Sequence, residues 1–82
     1  MHHNATHFRD IHQLRLQRLE SQYREAEDTL ATARSHYHRL REMPLQSATA
    51  MSVAMLRIHS AVQALHDLDE SIESVRKHEP VA

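Results

Sequence analysis

Not one glycine occurs in this chain of 82 residues, where average usage would supply about six. Glycine is the default residue for backbone at positive φ, so tight hairpin turns, bulges and phosphate-cradling loops have no ready means of construction here. The β and α/β classes fall away with them, together with nucleophile elbows and glycine-rich nucleotide motifs. An all-α chain is what remains, and 82 residues allow a single domain, 1–82.

Two prolines, Pro44 and Pro80, punctuate the chain. Upstream of Pro44, Leu16, Leu19, Tyr23, Ala26, Leu30, Ala33, Tyr37 and Leu40 follow one another by alternating steps of three and four, which is the heptad stripe of a long amphipathic helix. Phe8 and Ile11 extend the stripe upstream, and Asn4 or Thr6 are candidate caps. Downstream, Ala48, Met51, Met55, Ile58, Val62, Leu65, Leu68, Ile72 and Val75 form a second register, with Ser47 or Thr49 as its cap. These spacings predict a helix near 7–42, a turn at 43–46, and a helix near 47–78.

So short a connection predicts an antiparallel two-helix hairpin, with one long helix kinked at Pro44 as the alternative. A turn centred near residue 45 would lay Asp67, Asp69, Glu70 and Glu73 beside Arg15, Arg18 and Arg24, acid against base. Leu16, Leu19, Tyr23, Leu30, Tyr37, Leu40, Ile58, Val62, Leu65 and Ile72 are the expected hairpin core.

One hairpin buries one stripe of each helix, which is little for an independent fold. Between Ala48 and Leu68, 13 of 21 residues are apolar, more than one neighbouring helix can cover. Met51, Val53, Met55 and Leu56 are therefore the candidate partner-binding residues, and the expected partner is another protein's helix or a second copy of this chain. The methionines add pliable surface suited to such a role.

Other chemistries find less support. The chain has no cysteine, which removes disulfides, zinc fingers and thiol catalysis. Nine histidines would make the charge strongly positive on mild acidification. They do not space as a ligand set: His3 and His7 are i,i+4 but terminal, His36 and His38 point apart, and His59 and His66 are two turns distant. No metal or cofactor is expected. Ser60 beside His59, and His66 beside Asp67, hold residue types of catalytic sites, but helix neighbours at i,i+1 diverge and a thin hairpin excludes no water. The expectation is a protein that is not an enzyme.

Net charge is −1, and Arg9, Arg15, Arg18, Arg34, Arg39 and Arg41 are interleaved with acids. A small dimeric RNA- or DNA-binding bundle therefore ranks second to protein binding. The longest run free of charged residues and histidine, Met43 to Leu56, has 14 residues and is too short to span a bilayer. The first residues lack a signal-peptide core, so the expected location is the cytoplasm.

The run His66-Asp67-Leu68-Asp69-Glu70-Ser71-Ile72, in a second helix after the turn at Pro44, resembles the C-terminal helix of type III secretion needle subunits. Those are α-hairpins of about this length in which a Lys-Asp-apolar run precedes an isoleucine. Asp67, Leu68 and Ile72 match; His66 replaces the lysine, the turn has one proline rather than two, and the first helix is longer and more heptad-regular. The hairpin as a whole is similar to the small co-chaperones that hold needle subunits soluble before export. The resemblance implies a bacterial adaptor, chaperone or exported component of a secretion apparatus, reaching its destination by a non-Sec route.

Overall fold

The computed structural model describes residues 3–78, with the side chains of residues 9–78. Two helices, α1 (His3–Glu42) and α2 (Ala48–Lys77), pack against each other as an antiparallel hairpin with Cα extents of 69 × 15 × 14 Å. The single kinked helix is excluded. α1 begins at His3, ahead of the expected start, so Asn4 and Thr6 lie within it rather than at its cap. Pro80 and the side chain of Phe8 fall outside the described residues.

The reversal is made without glycine. No described residue has positive φ, so the chain turns through an open connection, residues 43–47, rather than a left-handed cap. Met43 N–H donates to the Leu40 carbonyl at 3.3 Å, and Gln46 Nε2 donates to the Arg41 carbonyl at 2.6 Å. Both satisfy acceptors that the end of α1 leaves open. Ser47 then starts α2 from an extended backbone, its hydroxyl accepting from Ala50 N–H at 3.2 Å. Ser47→Ala should cost about 1 kcal/mol and lower the melting midpoint by roughly 4–8 °C. Thr49→Ala, which removes no cap, should leave the midpoint level or raise it; circular dichroism melts compare the two.

In α1 the face toward α2 comprises Leu16, Leu19, Tyr23, Ala26, Leu30, Ala33, Tyr37 and Leu40, all buried or half-buried. Ile11, expected to continue this stripe, is 47% exposed. A heptad places residue 12 rather than 11 on the packed side, and His12 is indeed half-buried there.

The packed face of α2 differs from the expected one. It runs Ala54, Ile58, Ala61, Leu65, Leu68, Ile72 and Val75, with Ala54 only 1% exposed and Ala61 7%. Val62, expected in the core, is 45% exposed, and Ala48 and Met55 are exposed as well. Small residues hold the centre of the seam because they let the two backbones approach, and the larger Met55 and Val62 are displaced to its shoulder. Among the described residues only Leu30, Ala54, Ala61 and Ile72 are fully buried.

The register differs too. Arg76 pairs with Glu20 at 3.3 Å, one shallow groove joins Tyr23 to Ile72, and another joins Ala33 to Ala61. Residues whose numbers sum to about 95 therefore lie abreast, where a tight turn would give about 90. The glycine-free connection runs on past the end of α1 before turning, with Leu45 91% exposed at its apex. α2 consequently starts about 7 Å beyond the end of α1. At the other end, α1 overhangs α2 by residues 3–16, where Leu14 is 63% exposed.

Candidate partner-binding surface

This register rearranges the charges. Asp67, Asp69, Glu70 and Glu73 do not lie along Arg15 and Arg18; they lie abreast of residues 22–28, which bring Glu25, Glu27 and Asp28 as well as Arg24. Acid sits beside acid because apolar packing sets the register, while an exposed ion pair contributes only about 0–1 kcal/mol. Among the described residues, Glu20–Arg76 is the one ion pair that crosses between the helices. His66 and Glu70, 3.2 Å apart, are neighbours along α2.

The hairpin is polarised along its length. The tip half, residues 29–65, carries Arg34, Arg39, Arg41 and Arg57 against Glu42 alone, a net +3. The base half, residues 9–28 and 66–78, carries six cations and nine acids, a net −3. The tip is also the apolar end: of the eight exposed large apolar side chains among the described residues, Met43, Leu45, Val53, Met55, Leu56 and Val62 belong to it, and Ile11 and Leu14 do not.

Between the helices, chiefly in this tip half, runs an open groove of about 600 Å³, lined by Asp28, Thr29, Thr32, Ala33, His36 and Arg39 of α1 and by Arg57, Ser60 and Ala61 of α2. Its origin is local. Ala33 lies abreast of Ala61, so the seam narrows to two methyl groups, and the hydroxyl residues beside them fill little of the valley. Arg41 stacks over the Tyr37 ring, with Cζ 5.9 Å from its centroid.

The four candidate partner-binding residues do not form one patch. Val53 stands seven residues before Ser60, and Leu56 four before it, so both flank the groove. Met55 stands seven before Val62, which in turn stands seven before Asp69, a lining residue of the shallow groove on the opposite side. Met55 and half-buried Met51 therefore face the other way from Val53 and Leu56. The sequence signal missed on the groove side was the recurrence of small residues, Thr29, Ala33, Ser60 and Ala61, at facing positions.

Among the described residues no three of His, Asp or Glu converge where a metal ion could sit, and no helix is long and apolar enough to cross a membrane. No protein-family model matches the chain, and neither a curated protein nor a solved structure matches it.

Proposed function

We propose that this chain is a non-catalytic protein–protein interaction module, an adaptor- or chaperone-like hairpin that receives a helix of another protein in the groove of its tip half. The observation that carries this reading is the coincidence, on one flank, of an alanine-floored groove, the exposed Val53 and Leu56, and the cationic rim of Arg39 and Arg57. Apolar anchors would seat over Ala33 and Ala61 while acidic side chains meet the arginines, the pattern by which an amphipathic helix docks in a groove. The resemblance of His66–Ile72 to needle-subunit helices makes components of a bacterial secretion apparatus the first partners to try.

RNA or DNA binding is the second reading, favoured by the gathering of four arginines at the tip. Arg34 and Arg41 share one flank, whereas Arg39 and Arg57 line the other. A phosphate backbone would meet only half of them at once.

Affinity capture from the native cell, run beside electrophoretic shifts on bulk RNA and DNA, tests the choice. The expected result is a stoichiometric protein whose purified helix binds the wild-type hairpin and loses most of that affinity to Val53→Asp with Leu56→Asp, helicity being retained. Nucleic-acid binding that falls steeply with salt, without a protein partner, would put the second reading first.

A further inference from the structure

We infer that two copies of this chain pair antiparallel through the face that carries the groove, α1 lying on α1 and α2 on α2 of the other copy, so that Arg57 meets Asp67 and Arg39 meets Glu25 across the contact. The pairing covers the face on which the adaptor reading seats a partner's helix, and such a helix would bind by displacing the second copy. The pairing itself needs no partner and is tested without one.

The hairpin exposes 6867 Å², whereas a compact protein of 9.6 kDa exposes about 5,100 Å². The surplus of about 1,800 Å² is ample for a standard interface, which takes about 800 Å² from each partner. The groove face also gathers charges that one hairpin leaves unmatched. Among the described residues the ion pairs are Glu20–Arg76 and His66–Glu70, which leaves Asp28, Arg39 and Arg57 of the groove without one. Two further acids stand on this face: Glu25, a heptad before the lining residue Thr32, and Asp67, a heptad after Ser60. Asp67 Oδ1 accepts from Gln63 Nε2 at 3.0 Å, and its other oxygen remains for a guanidinium.

One axis satisfies both helices. Setting Arg57 on Asp67 of the other copy places the two-fold at the level of position 62 in α2. Because Ala33 lies abreast of Ala61, that level crosses α1 at position 32. There Thr32 meets its own equivalent, and Glu25 and Arg39, each seven residues from it, fall opposite one another. Asp28 likewise falls opposite His36 of the other copy. The match in α2 did not require either match in α1. Along α2 the same axis sets Ser60 on Ala64 and Val53 on Ser71, side chains short enough to let the backbones close. Arg15 and Arg18, on the same face, reach only the level of the other copy's connection and stay in water. A parallel pair, with its axis along the hairpin, would instead lay α1 on α2 at unchanged height. Arg39 would then stand near Arg57 and Glu25 near Asp67, like charge on like. The antiparallel contact is isologous and closes on itself.

Sedimentation equilibrium of the full chain at tens of micromolar should return about twice 9.6 kDa. Arg57→Asp should weaken association by about tenfold, since it turns two symmetry-related pairs repulsive. Asp67→Arg alone should do the same, and the two together should restore the dimer. Both positions are exposed in the hairpin, so helicity by circular dichroism should be retained throughout. Ala64→Arg should weaken association by about a hundredfold, whereas Met55→Asp, on the opposite flank, should leave it intact. The chain has no cysteine, so Thr32→Cys, on the axis, should form a disulfide-linked dimer under mild oxidation. Leu45→Cys, at the tip and 91% exposed in the parent, should not. A monomeric native chain, a charge swap that fails to restore association, or cross-linking through Leu45→Cys rather than Thr32→Cys would overturn the inference.

Discussion

Leu30→Ala should unfold most of the population at room temperature, whereas Leu14→Ala in the same helix should change stability by less than about 0.5 kcal/mol. Leu30 is 9% exposed, the most deeply placed large side chain of α1 among the described residues, and Leu14 is 63% exposed on the overhang beyond the end of α2. Truncating a buried leucine costs about 2–4 kcal/mol through lost transfer energy and the cavity left behind. A core of this size supplies only a few kcal/mol in all, so one truncation removes most of it. Urea titration followed by far-UV circular dichroism, at one fixed protein concentration, measures both variants. Equal losses would mean that the overhang is packed as tightly as the seam.

The packed stripe of α1 was legible in the sequence because its large residues, Leu16, Leu19, Tyr23, Leu30, Tyr37 and Leu40, stand on the face that packs and nothing larger competes beside them. In α2 the competition was real. Met51, Met55, Ile58, Val62 and Leu65 alternate steps of four and three more strictly than Ala50, Ala54, Ile58, Ala61 and Leu65, and side-chain size favours them too. What decides between them is how closely two backbones approach, a property of both helices together that neither shows alone. The axial register was hidden for a related reason. Absence of glycine forbids tight turns, yet its consequence for the reversal itself, a connection that displaces α2 by about five residues, needs the three-dimensional path of residues 43–47. That displacement moves Asp67–Glu73 away from Arg15 and Arg18, leaves them abreast of Arg24 and brings Glu25, Glu27 and Asp28 beside them.

Ala54→Asp is the substitution that most sharply separates the observed seam from the one that side-chain size suggests. Ala54 is 1% exposed and lies abreast of Leu40 and Arg41 in the seam between the helices. Aspartate there would have to be desolvated between two helices, and Arg41 is itself exposed and stacked on Tyr37. An unpaired buried carboxylate costs about 3 kcal/mol or more, so the hairpin should lose its cooperative melt and much of its helicity. Leu56→Asp, two residues on, replaces a larger apolar side chain with the same charge, but Leu56 is 67% exposed and its carboxylate would stay hydrated. The melting midpoint of that variant should stay within a few degrees of the parent. Were Met51, Met55 and Val62 the buried line of α2 instead, Ala54 would lie at its edge, where aspartate could turn to solvent, and Ala54→Asp would be tolerated. A matched pair of thermal melts therefore reads out which face of α2 carries the fold.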